Sequence, residues 1–309
     1  MQTARSILLI RPQNFRYNAE TATSNEFQKK ADAGKENTVK QLALAEFDRF
    51  AETLRSKGIN VLVFDDTDEP QKPDAVFPNN WVSFHADGTV VLYPMCAVNR
   101  RSERRMDIIE ALGQEFRIEK IVDLSHFENE GRFLEGTGSI VFDHENKIAY
   151  ACLSPRTDAA LFDEVSPTLG YSSISFRAVD DNGRAIYHTN VLMCIGIGFA
   201  VICLESFENA DEKETIIESL KRSGLEIIDI TFLQMNKFAG NMLAVSGKNG
   251  KVFLVQSQSA FDSLKKEQIA VLEKYCELLP IPIPAIETIG GGSARCMMAE
   301  IFLPDAKRL

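Results

Sequence analysis

An internal period is the feature that most limits what this chain can fold into. Once apolar runs are marked along the 309 residues, one plan recurs about every fifty residues: a β-hairpin, a helix, then a strand. The first unit opens with the apolar run Ile7–Ile10 and passes through a polar stretch, Pro12 to Lys35, that has no periodicity and reads as a long loop. It continues into a helix over residues 36–57, with Val39, Leu42, Leu44, Phe47 and Leu54 at helical spacing, which Gly58 ends before the β-rich run 60–64. The second unit runs from Val76 through Phe84, turns at Asp87-Gly88, and returns over Val90–Tyr93. Its helix starts at the basic cluster Arg100, Arg101, Arg104 and Arg105, and a strand over 118–124 closes it.

The third unit has strands expected at 140–142 and 148–153, a helix from Thr157 and a strand at 174–179. The fourth turns at Gly196–Gly198 and has a helix over 210–223 and a strand over 226–230. The fifth has strands at 241–245 and 252–255, a helix at 263–279 and a strand at 281–286. A last run, Cys296–Leu303, has no partner in its own unit and is free to pair with the first strand of the chain, closing a ring. A single unit would leave its apolar face in water, so the units must stack. The expectation is one α/β catalytic domain over 1–309: a five-bladed, pseudo-symmetric α/β propeller of ββαβ-type units. The units cover roughly 1–70, 74–124, 132–180, 185–231 and 236–287, with the closing strand at 294–303. The first strand of each unit then points at a central axis, where Asn79, Asn80, Glu135, His188, Asn241 and Cys296 meet.

Cys296 follows Gly290-Gly291-Gly292-Ser293-Ala294-Arg295, a loop whose glycines permit close approach and positive φ. A thiol at a loop-to-strand junction beside the cationic Arg295 is in a setting that favours the thiolate. A lone cysteine is usually a small buried apolar residue, and a lone histidine a structural one. A thiol, an imidazole and a carboxylate at equivalent positions of separate units point instead to covalent catalysis.

Charge and cysteine usage exclude other classes. A net charge of −10 and a pI near 5.1 argue against nucleic acid and anionic membranes as partners. The longest apolar run, Val191 to Leu204, is too short to span a bilayer and is cut by two glycines. The N-terminal run lacks the pattern of a signal peptide. Six scattered cysteines without a CxxC pair suit neither zinc nor a disulfide framework, so a reducing cytoplasm is expected, with no metal and no organic cofactor.

Four motifs taken together resemble the pentein, or guanidino-group-modifying, superfamily of arginine deiminases, dimethylarginine dimethylaminohydrolases, agmatine deiminases and amidinotransferases. They are Leu134-Glu135-Gly136, Leu153-Ser154-Pro155-Arg156-Thr157, His188-Thr189-Asn190, and Gly290-Gly291-Gly292 with Arg295-Cys296. Ile10-Arg11-Pro12 with Asn14-Phe15, Glu20-Thr21-Ala22 and Phe77-Pro78-Asn79-Asn80-Trp81 are similar to the citrulline-utilisation hydrolase (CtlX-like) branch.

The resemblance implies Cys296 as nucleophile, His188 as general acid and base, and Glu135 as the group that holds a substrate nitrogen and assists His188. It implies Arg156 for the substrate α-carboxylate, with Arg101 a weaker candidate for the same task. Where arginine-acting relatives carry carboxylates, this chain has Asn80, Gly138 and Asn190. Guanidinium is a cation whose burial needs anions, whereas the oxygen of a neutral ureido group accepts from an asparagine NH2. The expected reaction is therefore hydrolysis of citrulline to ornithine, ammonia and carbon dioxide. The expected partners are a small amino-acid substrate and, at most, a second copy in a homodimer. Three rivals stand beside it: an arginine deiminase or dimethylarginine hydrolase, an amidinotransferase, and a non-catalytic pentein acting as a binding platform like the ribosome-binding initiation-factor branch.

Overall fold

A computed structural model describes residues 1–30, 34 and 36–306. Residues 31–33 and 35 of the expected loop, and the last three of the chain, lie outside the described residues. Among the described residues the apolar runs form fifteen strands: β1 (Ser6–Arg11), β2 (Asn60–Asp65), β3 (Val82–Phe84), β4 (Thr89–Leu92), β5 (Lys120–Asp123), β6 (Ile140–Asp143), β7 (Ile148–Cys152) and β8 (Ser172–Phe176), followed by β9 (Met193–Ile195), β10 (Phe199–Ile202), β11 (Glu226–Asp229), β12 (Leu243–Ser246), β13 (Val252–Ser257), β14 (Glu277–Ile281) and β15 (Ala299–Ile301).

One strand order recurs five times: an inner strand antiparallel to a middle strand, which is parallel to an outer one. It is built by β3-β4-β5, β6-β7-β8, β9-β10-β11 and β12-β13-β14. The fifth instance joins the two ends of the chain: β15 pairs antiparallel with β1 (Ser6 opposite Ile301), and β1 runs parallel to β2. This is the closure anticipated for the last strand. A parallel contact between Ile301 and Phe84 merges that unit with the next into a six-stranded sheet. The middle strands read as continuous apolar runs because helices cover one face and neighbouring units the other. Phe199, Ala200, Val201 and Ile202, for example, are all buried.

The helix over Glu36–Ser56 buries Ala43, Phe47, Phe50, Ala51 and Leu54 against Ile7, Leu9 and Val61. Of its expected apolar stripe, Leu42 faces solvent at 50% exposed, because the stripe is centred one position further round on Ala43 and Phe50. The last repeat departs most from expectation. In place of one helix over 263–279 there are two short ones, Gln258–Ser263 and Lys266–Leu272, and the closing strand is Glu277–Ile281 rather than 281–286. Five parallel partners along β13, from Phe253 opposite Glu277 to Ser257 opposite Ile281, draw the end of the expected helix into a strand. The third closing strand is likewise shifted, to Ser172–Phe176.

The inner strands also start later than the apolar runs. Pro78–Asn80, Gly136–Ser139 and Thr189–Leu192 each form a single helical turn just before β3, β6 and β9. Those turns carry, or directly follow, the residues expected on the axis. Among the described residues no helix is long and apolar enough to cross a membrane. No group of three or more His, Cys, Asp or Glu there could hold a metal ion.

Candidate active site

The turns preceding the inner strands bring most of the expected residues together. Glu135 is fully buried; its Oε2 lies 2.8 Å from His188 Nε2 and 3.5 Å from Arg156 Nη1, and its Oε1 accepts the Cys96 N–H at 3.0 Å. Burial pushes the Glu135 carboxyl up, but Arg156, the His188 hydrogen bond and Arg100 outweigh it and hold the group well below the usual carboxylate range. Burial lowers the His188 imidazole to about 4 despite Glu135, so the ring is neutral at pH 7.

Cys296, 4% exposed, follows the glycine loop and precedes β15. Two asparagine amides reach its Sγ: Asn190 Nδ2 at 3.5 Å and Asn241 Nδ2 at 3.3 Å. The Asn241 amide has one permitted orientation, because its Oδ1 accepts the Arg295 N–H at 3.1 Å and its Nδ2 donates to the Asn190 carbonyl at 2.8 Å. Asn190 sits two residues after His188 in the chain. Its Oδ1 is buried and has no partner among the described residues.

Asn79 and Asn80 are distinguished by their partners. The Asn80 Oδ1 accepts from Arg100 Nη1 at 2.7 Å, while its Nδ2 is buried without a partner. That Nδ2 lies against Gly138: a β-carbon there would come within 2.4 Å of it and 2.7 Å of His188 Nδ1. Asn79 supplies its carbonyl to Thr137 Oγ1 at 3.3 Å, and both atoms of its own amide are unpartnered.

Arg156, 3% exposed, donates to the Thr21 carbonyl (2.8 Å) and Ser24 Oγ (2.7 Å) and stacks on Tyr187, its guanidinium 4.9 Å from the ring centroid. It thereby fastens the long N-terminal loop over the site. Gln28 and Asn25 hold the same loop to the Gly290 and Gly291 carbonyls at 2.9 and 3.1 Å. Gly291 has φ +63° and no room for a β-carbon, which would stand 2.5 Å from Gln28. The glycine loop is thus a seat for residues 25–28.

Two expected arginines are placed differently. The Arg295 guanidinium turns away from the thiol beside it, donating to the Met298 carbonyl and to Glu300 Oε2, each at 2.8 Å. The activation of Cys296 expected from that charge is therefore corrected: the buried Glu300 carboxylate neutralises it. Arg101 stays at the rim, its side chain 29% exposed, with Nε on the Met95 carbonyl (3.2 Å) and 3.3 Å from Glu128.

Arg100, beside it in sequence, is the buried one. It forms a bidentate pair with Glu103 and lies 3.8 Å from Asp74. Asp74 is also new to the site: its Oδ2 takes Asn18 Nδ2 (2.8 Å) and Thr21 Oγ1 (3.0 Å), and its Oδ1 is free and buried. A signal existed for Arg100, since Glu103 follows at i+3 and lets the two pair on one turn. For Asp74, an acid just before the apolar run 75–77, there was little more than its position.

Comparisons with known proteins agree with this fold. The structure superposes on full-length ArgZ, an arginine dihydrolase from the ornithine-ammonia cycle in cyanobacteria, with TM-score 0.75 and 17% identity over 97% of this chain. The chain spans 41% of that protein but 98% of its N-terminal domain, whose substrate-bound structure matches with TM-score 0.73 and 16% identity. A dimethylarginine dimethylaminohydrolase in an adduct with S-methyl-L-thiocitrulline matches with TM-score 0.67 and 16% identity, over 97% of this chain and all of that one. No curated protein sequence matches significantly. The family model for N,N dimethylarginine dimethylhydrolase, eukaryotic, matches residues 11–303, nearly the whole of the repeat array with the glycine loop and Cys296. The chain belongs to that N,N dimethylarginine dimethylhydrolase family, within the pentein guanidino-group-modifying superfamily.

Proposed function

We propose that residues 1–309 form one catalytic domain that hydrolyses citrulline at its ureido carbon to ornithine, ammonia and carbon dioxide. The observation that carries this reading is a pair of unpartnered buried atoms, the donor Asn80 Nδ2 and the acceptor Asn190 Oδ1. A ureido group offers an oxygen to the first and an NH2 to the second. A guanidinium has donors only, and would set an N–H against the Asn80 amide. Sites built from buried polar groups discriminate strongly against a substrate that leaves them unpaired.

In this reaction His188, neutral at pH 7, takes the Cys296 proton, and the thiolate adds to the ureido carbon. Asn80 stabilises the oxyanion that forms. His188 returns the proton to the departing nitrogen and ammonia leaves, with an S-carbamoyl group remaining on Cys296. Glu135 supports the imidazolium through its 2.8 Å contact. His188 then deprotonates water, whose attack frees Cys296 and releases a carbamate that breaks down to ornithine and carbon dioxide. Arg156, with Arg101 at the rim, takes the α-carboxylate, and the free oxygen of Asp74 takes the α-ammonium. Six free cysteines support a reducing, cytoplasmic setting.

A second reading is hydrolysis of arginine or a dimethylated arginine by the same residues, favoured by the family model itself. Purified protein given citrulline, arginine or dimethylarginine separately, with Cys296→Ala alongside, decides between them. Ornithine and ammonia from citrulline, lost in the variant, are expected. Citrulline formed from a guanidino substrate, with citrulline itself inert, would overturn the ureido reading.

A further inference from the structure

Arg100 is 2% exposed, and its donors are directed at three groups. Nε and Nη2 grip the Glu103 carboxylate at 2.9 and 2.8 Å, Nη2 reaches the Phe77 carbonyl at 3.3 Å, and Nη1 reaches Asn80 Oδ1 at 2.7 Å. A guanidinium donates and never accepts, so the Asn80 atom facing it must be the oxygen. The NH2 group is then committed to the opposite side, against Gly138 and His188. An unrestrained asparagine could turn its amide over and offer the oxygen to a substrate N–H. With Arg100 in place, that turn would set NH2 against a guanidinium N–H and leave a charged donor unpaired, a heavy penalty in a buried site.

We propose that Arg100 is a positioning residue that sets substrate preference through Asn80: by holding Oδ1 it commits the site to present a donor, and so to favour a ureido oxygen over an all-donor guanidinium. Glu103 fixes the fork, and the bare α-carbon of Gly138 leaves room for the amide. The proposal rests on the reading that Asn80 faces the reacting group.

The test is kcat/KM for citrulline and for arginine, measured separately in three proteins beside wild type. Arg100→Gln with Glu103→Gln removes the Glu103 charge together with the guanidinium, leaves Asp74 to its Asn18 and Thr21 donors, and puts an amide that can donate or accept opposite Asn80. Arg100→Met with Glu103→Leu is the alternative if the first does not fold, because apolar replacement of a whole buried ion pair is usually tolerated. Arg100→Lys remains donor-only. The citrulline-to-arginine ratio is expected to fall about tenfold in either double variant, the worth of one exchanged hydrogen bond. It should stay within about threefold of wild type in Arg100→Lys. Equal loss on both substrates in a folded double variant would overturn the proposal and leave Arg100 a structural residue. If wild type proves inert on citrulline, the substrate reading fails by itself. Arg100 is then judged on arginine alone, where the double variants must gain activity, and no gain would overturn it.

Discussion

At the N-terminal ends of the inner strands, Asn80 and Asn190 each keep one amide atom unpartnered. At the C-terminal ends and along β15, His85 meets Ser83 Oγ at 2.8 Å, His144 meets Tyr171 Oη at 2.7 Å, and Arg295 meets Glu300 at 2.8 Å. Both ends bury ionisable groups, and both depress histidine: burial lowers His85 to about 4 and holds His144 well below 6.5, as it lowers His188. Two cavities beside His144 and Glu300, the second also touching His85, measure about 20 and 10 Å3, room for roughly one water each. A displaced pKa therefore does not single out the reactive end. Unmet hydrogen-bonding capacity beside a thiol marks the candidate site instead, because a substrate can satisfy the Asn190 oxygen, which has no partner among the described residues.

The largest expected effect contrasts the two ends directly. Cys296→Ala should lower kcat by about 10³-fold or more with a change in stability of only about 1 kcal/mol. His144→Ala should leave kcat within about threefold while costing about 2–4 kcal/mol of stability. Steady-state kinetics and urea unfolding on the same preparations check both, and a catalytic collapse in His144→Ala would erase the distinction.

Next in size, Glu300→Gln strips the buried Arg295 of its counter-charge and should cost about 3–5 kcal/mol. Asn80→Ala should instead lower kcat/KM about 10²–10³-fold while leaving the unfolding midpoint nearly unchanged. A marked stability loss in Asn80→Ala would mean that its amide is structural.

A smaller, sharper effect is expected from acid. His188 has a folded pKa below its unfolded value, so the unfolded chain binds the proton first. Its contribution is complete above about 6.5 and is lost as pH falls toward about 4, worth about 3 kcal/mol for His188. His85 and His144 act in the same direction, and Glu135, also depressed, extends the loss below its ordinary pKa. Thermal unfolding followed from pH 8 to 4 should show a falling Tm. A flat profile would contradict neutral buried imidazoles at either end. Asn190→Asp is the mildest change: it should move the citrulline-to-arginine ratio toward arginine by about tenfold.

The repeat and the residues it sends inward were legible because each unit must bury its own apolar face, and a period of about fifty residues records that need in the sequence itself. For the same reason Glu135 could be set near His188, and Cys296 near Asn241, without coordinates. The fifth helix was misjudged, because the apolar residues of 263–279 leave helix and strand open until β13 offers five parallel partners to Glu277–Ile281.

Side-chain direction was beyond the sequence's reach. Only the Glu103 at i+3 tells Arg100 from Arg101 locally, and it does not say that one is buried against Asn80 and the other lies at the rim. Arg295 adjoins Cys296 in the chain but gives its charge to Glu300. Asp74 meets Asn18 and Thr21 because the N-terminal loop, held by Arg156 and the glycine loop, carries them to it. Periodicity determines which backbone segments face the axis, since burial of an apolar face is a property of each segment. Which donor or acceptor each polar residue presents depends on partners from other units, and tertiary packing alone brings those into range.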